Sequence, residues 1–358
     1  MDVTRWVLHV DLDQFIAAVE VLRHPELAGR PVIVGGAGDP TQRAVVATAS
    51  YEAREYGVQS GMPLRTAAKR CPDAVFLPAD HAAYEEVSAQ VMTTLRGLDV
   101  VVEVLGWDEA FLGADTTDAE PGDPEPGDPE PGDPEALARH IQRAVLAATQ
   151  LSCSVGIGDN KLRAKLATGF AKPAGVFRLT AANWHAVMGQ RPTDALWGIG
   201  RKTARKLAEL GFVTVGQLAA ADPAELAQRL GPAMGPWYVQ LARGLDRSPV
   251  VGTPYVPRSR SRETTFQRDL TDWTQVRAEV ATLARRVAAD VRDDGRPVAR
   301  VAVKVRFAPF ITHTRSRTLA EPTTDEVTLE AGALEVLERF EHGRPVRLLG
   351  VRGEFAGG

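Results

Sequence analysis

"RWVLHVDLDQFIAAVE", residues 5 to 20, decides how the first half of the chain is read. Its opening, "RWVLHVDLD", is β-rich and near-continuously apolar, the pattern of a central strand buried on both faces. The run ends in two acids, Asp11 and Asp13. A carboxylate buried in a strand is costly unless something pairs with it. The chain offers more acids rather than bases: "VVEVLGWDEAFLG" reads as strand, turn and strand, and supplies Asp108 and Glu109. Three carboxylates converging on one sheet edge repel and raise one another's pKa values unless divalent cations sit among them. Two Mg²⁺ ions about 3.5–4 Å apart are what in-line phosphoryl displacement uses. The plain alternative is that the acids cap turns independently.

Around this stretch, the bulk properties set bounds. A length of 358 residues predicts two or three domains. No apolar run approaches the roughly 18 residues of a membrane span, and the N-terminus lacks a signal-peptide layout. The two cysteines, Cys71 and Cys153, form neither a disulfide framework nor a metal-binding spacing. These observations predict a soluble cytoplasmic protein and argue against membrane and disulfide-stapled secreted classes.

The net charge of −4 hides an asymmetry. Residues 115–135 hold nine acids and no base, whereas from Arg258 to Arg317 there are fourteen bases and seven acids. Such a basic segment is a modest nucleic-acid signal. The acidic segment is built on "EPGDPEPGDPEPGDPEA", three copies of a five-residue unit. Proline every few residues, glycine and like charges predict a disordered loop inserted between strand and helix.

Beyond it, "ALARHIQRAVLAAT" and "LSCSVGIG" continue the first domain as helix and strand. "DALWGIGRKTARKLAELGFVTVGQLAAADPAELAQRLG" reads as a compact helical module, and "DRSPVVGTPYVPRSRSR" as a linker. The remainder alternates strand, helix, two strands, helix and strand, a ferredoxin-like split unit with one open sheet face.

Four further constellations suit phosphate chemistry. "SYEAREYGV" sets Tyr51 and Arg54 at i, i+3, a pair suited to gripping phosphate oxygens, although a solvated surface pair reads the same way. "NKLRAKLATGFAKPAG" gathers Lys161, Lys165 and Lys172, three of only seven lysines in the chain. That clustering argues against a random solvated face. "LWGIGRKTARKL" carries a helix-hairpin-helix signature through Gly198, Gly200, Lys202 and Thr203. Glycines there allow close backbone approach to a phosphate, and a helix N-terminus binds it without reading sequence. An ordinary helical turn is its alternative. "PRSRSRETTF" puts Arg258, Arg260 and Arg262 at period two along an extended strand, where they could track a phosphate backbone or simply protect an edge.

Taken together, these stretches resemble a Y-family translesion DNA polymerase of the bacterial DinB (DNA polymerase IV) type. "VDLDQF", "ASYEAREYGVQSGMP", "DEAFL", "SVGIGDNKLRAKLATGFAKPAG" and "LWGIGRKT" occur in family order and spacing. The resemblance implies an α+β, right-hand polymerase fold. A ferredoxin-like palm would span residues 1–12 and 80–178, interrupted by the acidic repeat, with fingers at 13–79. A helix-hairpin-helix thumb at 179–245 and a linker at 246–256 would lead to a ferredoxin-like little finger at 257–358.

The resemblance also implies roles. Asp11, Asp108 and Glu109, with the Leu12 carbonyl, would hold two Mg²⁺ or Mn²⁺ ions, while Asp13 stays structural. Tyr51, Arg54 and Lys172 would contact the incoming triphosphate. Lys161, Lys165, Gly198, Gly200, Lys202, Thr203 and the three arginines would meet primer-template DNA. The enzyme would act as a monomer and, with the sequence ending in "GVRGEFAGG", is expected to do without the sliding-clamp peptide of many relatives.

Two departures from the family pattern stand out. Gly106 and Trp107 replace the usual Ser-Ile before the acidic pair. Ile16 stands where the family has Tyr or Phe, whose ring blocks a ribose 2′-hydroxyl. Less would fill that space here, so ribonucleotides should enter beside deoxyribonucleotides, unless Ile16 merely packs and another side chain excludes the hydroxyl. Two rival functions are a non-catalytic DNA-binding protein with an inactive palm and a nucleotidyl cyclase. The intact acids and Lys172 speak against the first; the helix-hairpin-helix and arginine row would be idle in the second.

Overall fold

The computed structural model describes residues 5–115 and 133–357, so most of the acidic repeat, 116–132, lies outside the described residues. The chain divides into two compact units, the first running to Pro254 and the second from Tyr255, with 40–44 and 63–65 belonging to the second.

The first unit opens with β1 (Arg5–Leu12), followed by α1 (Phe15–Arg23). Leu8, Val10 and Leu12 enter one core while Val7 packs with Phe111, Ala164 and Val250 in another, so both faces of β1 are buried as its apolar run requires. Gln14, at φ 43°, turns the chain from strand to helix. A small sheet comes next, from β2 (Val32–Val34), β3 (Thr48–Ala49), α2 (Tyr51–Glu55), α3 (Leu64–Arg70) and β4 (Val75–Leu77), in strand order β3-β2-β4. The Ser50 hydroxyl begins α2 as its N-cap, accepting from the Ala53 N–H.

The chain then runs through α4 (His81–Arg96), β5 (Val101–Val104), β6 (Glu109–Asp115), α5 (Pro134–Thr149), β7 (Cys153–Gly158), α6 (Lys161–Ala171) and β8 (Val176–Leu179). These strands and β1 form one sheet in the order β5-β6-β1-β7-β8. β1 is antiparallel to both β6 and β7, which is the expected ferredoxin-like order, and β8 adds on parallel to β7. Side chains of α4 and α5 share the core of Leu8, Val10 and Leu12, whereas α6 lies on the other face beside His9. That approach depends on Gly156 of β7. A Cβ there would stand 2.1 Å from the Ala164 carbonyl oxygen.

The helical module comprises α7 (Trp184–Met188), α8 (Arg201–Glu209), α9 (Val215–Ala220), α10 (Pro223–Leu230) and α11 (Met234–Ala242). Leu196, Ile199, Leu207, Leu218, Leu226 and Val239 fill its centre. The hairpin before α8 is entered from a single 3₁₀ turn, Thr193–Ala195.

The second unit contains the expected strand and helix succession: β9 (Ser259–Leu270), α12 (Trp273–Asp294), β10 (Val298–Phe307), β11 (Ile311–Thr323), α13 (Glu326–Leu337) and β12 (Val346–Phe355). Its sheet is wholly antiparallel, in the order β11-β10-β12-β9, so the succession of elements is the expected one but the strand order is not the ferredoxin-like order, because β12 rather than β9 lies against the β10-β11 hairpin. Val301, Val303 and Val305 of β10 pack with Val280, Val287 and Ala333 of the two helices. The alternate residues Lys304, Thr314, Gly350 and Arg352 line the opposite, uncovered face.

Candidate active site

Strand register assembles the three acids. Asp11 of β1 is the direct cross-strand partner of Glu109 on β6. Asp108 sits at the tip of the β5-β6 hairpin, where the Leu105 and Gly106 N–H groups donate to the Glu109 carbonyl at 3.0 and 3.3 Å. The Leu12 N–H donates to the Asp108 carbonyl at 2.9 Å, which ties the hairpin tip to the end of β1. The side chain of Leu12 is in the core, so only its backbone is available to the acids.

The electrostatics of the three acids differ. Burial, reinforced by the charges of Asp11 and Glu109, pushes the Asp108 carboxyl up. Glu109 is held down at about 2, first by a hydrogen bond from His9 and then by Lys165, against the opposing effect of burial. Lys165 pairs with Glu109, and Lys172 pairs with Asp11. His9 is buried, which pushes its imidazole down; its Nε2 lies 3.2 Å from Glu109 and its Nδ1 2.9 Å from the Thr168 hydroxyl. Ligand atoms of His9, Asp11 and Glu109 all fall within 4.8 Å of one another. Adjacent hard carboxylate oxygens suit Mg²⁺ or Mn²⁺, and the raised Asp108 is the group a cation would relieve. The residues present therefore fit a divalent cation.

Tyr51 and Arg54 come together on α2. The Tyr51 hydroxyl donates to Asp13 Oδ1 at 2.8 Å, and burial together with that carboxylate pushes the phenol up. The Arg54 guanidinium lies 5.0 Å from the Tyr51 ring centroid, and its Nε donates to the Ala49 carbonyl at 2.9 Å. Ile16 is half-buried on α1, beside the buried Phe15. Trp107 packs against the main core and meets His81, the first residue of α4, edge-on at 5.4 Å. Its bulk thus joins the hairpin tip to a helix.

The residues expected to meet DNA are placed unequally. Lys202 on α8 is exposed and Thr203 half-buried, and no side chain caps that helix, whose N-cap is Gly200. Gly198 adopts φ +97°, and a Cβ there would come within 2.9 Å of Trp237. Lys161, by contrast, is buried and donates to Glu103 at 2.5 Å, so its ammonium is spent inside the fold. Lys165 belongs to the acidic site through Glu109. The arginine row is also engaged: Arg262 pairs with Asp290 at 2.6 Å, and Arg260 pairs with Asp294, both acids on α12. Register explains this, because Arg262 lies opposite Val351, a residue of the helix-covered face. Arg258 is exposed just ahead of β9.

His9 and the partners of Asp13 are passed over in the sequence reading. His9 precedes Asp11 by two on the same strand face, a period-two signal that was available. Asp13 gathers partners from distant segments, which no local pattern announces.

Among the described residues no helix is long and apolar enough to cross a membrane. Comparison with known proteins agrees with the geometry. The impB/mucB/samB family matches residues 10–169, and its C-terminal domain matches residues 257–354. DNA polymerase IV 2 of Mycobacterium tuberculosis is 54% identical over 98% of both chains. Among solved structures, a Y-family DNA polymerase chimera of Dbh and Dpo4 superposes with a TM-score of 0.82, at 26% identity over 98% of each chain. An insertion ternary complex of Dbh DNA polymerase aligns with a TM-score of 0.65, also at 26% identity over 98% of each chain. With two family domains spanning the chain and a relative of more than half identity along its whole length, this protein belongs to the impB/mucB/samB family and is a Y-family DNA polymerase of the DinB type.

Proposed function

We propose that this polymerase extends a primer by two-metal-ion phosphoryl transfer at Asp11, Asp108 and Glu109, and that it accepts ribonucleotides beside deoxyribonucleotides. The cross-strand pairing of Asp11 with Glu109, with Asp108 at the adjoining hairpin tip, carries the reading. Primer-template DNA and an incoming nucleotide are its substrates. The β1, β5–β8 sheet serves as palm, residues 13–79 as fingers, 179–245 as thumb and 257–358 as little finger.

The three carboxylates, with the Leu12 carbonyl, would hold two Mg²⁺ or Mn²⁺ ions. When bound, these cations supply Lewis-acid activation of the primer 3′-hydroxyl and charge neutralisation of the triphosphate. The chain's own residues do the rest. Tyr51 and Arg54 grip the triphosphate from α2. Lys172, which pairs with Asp11, would place its ammonium near the charge that develops as the 3′-oxygen attacks the α-phosphate and pyrophosphate departs. His9, fixed by Thr168, holds Glu109 in place. On the DNA side, the uncapped α8 N-terminus with Lys202 and Thr203 takes a backbone phosphate without reading sequence.

Ile16 stands at the position that selects the sugar. An aliphatic, non-planar side chain leaves room for a 2′-hydroxyl that a ring would exclude. Single-turnover primer extension with dNTPs and rNTPs, each with Mg²⁺ and Mn²⁺, tests both parts. Strong rNTP exclusion by wild type, unchanged in Ile16→Phe, would sink the sugar reading. Extension unaffected in Asp108→Ala would sink the catalytic one and favour a non-catalytic DNA-binding role.

A further inference from the structure

Asp13 is 3% exposed, yet every part of its carboxylate is engaged. Oδ1 accepts from the Tyr51 hydroxyl and the Ser154 hydroxyl, each at 2.8 Å. Oδ2 accepts from the Ser152 hydroxyl at 3.1 Å and from the Ala174 backbone N–H at 2.9 Å. Four donors nearly exhaust what two carboxylate oxygens can accept, and such saturation offsets the cost of burying the charge. The donors come from three places: α2, β7 with the residue before it, and the segment following α6.

Two of those places carry the groups assigned to the triphosphate. Tyr51 and Arg54 ride on α2, and Lys172 stands two residues before Ala174. Gln14, the next residue after Asp13, adds a second hold, its Oε1 accepting the Tyr51 N–H at 2.5 Å. Tyr51 is therefore gripped by its hydroxyl from Asp13 and by its amide from Gln14. β7 supplies the fixed base, since Ser154 is also the β-partner of Asp11.

We infer that Asp13 is a positioning residue: it ties the Tyr51–Arg54 helix and the Lys172 segment to β7, so that the nucleotide's phosphates meet a preformed cradle. The inference rests on the triphosphate reading of Tyr51, Arg54 and Lys172. A preformed site lowers the ordering cost of binding, so losing it raises KM more than it lowers kcat. Simple destabilisation would reduce the active fraction and leave KM unmoved.

The test is a double-mutant cycle between Asp13→Ala and Tyr51→Phe, read as KM and kcat for dNTP in primer extension, with primer-template affinity measured in parallel. Each single variant is expected to raise KM about tenfold, with DNA affinity unchanged, and Tyr51→Phe should add less than about twofold in the Asp13→Ala background. Asp13→Asn should restore part of the loss, because its amide oxygen still accepts the Ala174 N–H. If Asp13→Ala does not fold, Ser154→Ala replaces it in the cycle, with an expected KM rise of about two- to threefold. Strict additivity, or an Asp13 effect confined to kcat, would overturn the positioning role while leaving the triphosphate reading intact. An unchanged KM in Tyr51→Phe would overturn both.

Discussion

Asp11 and Glu109 face each other across the β1-β6 pair, and each is matched by its own lysine, Lys172 for the first and Lys165 for the second. Asp108, one residue away, is left to burial and its two acidic neighbours, which push its carboxyl up. Two of the acids thus have a basic partner, while burial and two like charges oppose the ionised form of the third. Different outcomes follow for each.

Asp108→Asn removes a charge that the fold opposes. Nucleotide addition should fall by about a thousandfold or more, since several kcal/mol of transition-state stabilisation go with the cation. In chelator the same variant should melt about 1–3 °C higher than wild type, because like-charge repulsion is relieved. Primer extension and thermal melting check the two signs together.

Acidification in chelator should destabilise the fold in a specific window. The folded-state pKa of His9 lies below its ordinary 6.5, so the unfolded chain binds the extra proton first and stability falls as pH drops below 6.5. Glu109, held at about 2 against its ordinary 4.5, adds a loss from near 4.5 down toward 2. Melting curves from pH 7 to 5 should show a decline of about 2–4 °C in wild type, and a shallower one in His9→Gln. Equal slopes would contradict the assignment.

Ile16→Phe should sharpen sugar choice. The ratio of kcat/KM for dNTP over rNTP is expected to rise by roughly 10–100-fold, mainly through poorer rNTP use, with dNTP incorporation nearly unchanged. A ring that excludes a hydroxyl acts by volume, so Ile16→Tyr should behave alike.

Salt dependence separates a base without an acid partner among the described residues from an ion-paired one, although both Lys202 and Arg262 are exposed. Lys202→Ala should lower the slope of log affinity against log salt by about one, as expected for one lost phosphate contact. Arg262→Ala should leave that slope unchanged, because the guanidinium is already paired with Asp290. It should instead loosen β9 from α12, by about 0.2–1 kcal/mol as judged by denaturant unfolding.

The candidate acids were legible as candidates because they stand in short, ordered motifs. Asp11, Asp108 and Glu109 follow from two strand-end stretches, and Tyr51 with Arg54 from one helix turn. The acid partners of Lys161, Arg260 and Arg262 were not legible, since charge alone does not tell which acid a base will meet. Those partners, Glu103, Asp294 and Asp290, lie 58, 34 and 28 residues away.

The same limit governs the fold. Periodicity and motif order determined, from the sequence alone, most elements and the α+β class, and marked three carboxylates as candidates, because these depend on neighbours within a few residues. Strand order was decided only in three dimensions. The same succession of four strands and two helices places β6, the second strand of its hairpin, next to β1 in the first unit. In the second unit it places β10, the first strand of its hairpin, next to β12. Local pattern is identical for both; which apolar faces can be buried together is not. Asp13 illustrates the point at atomic scale: its four donors stand 38 to 161 residues away, and only the packed chain brings them to one carboxylate.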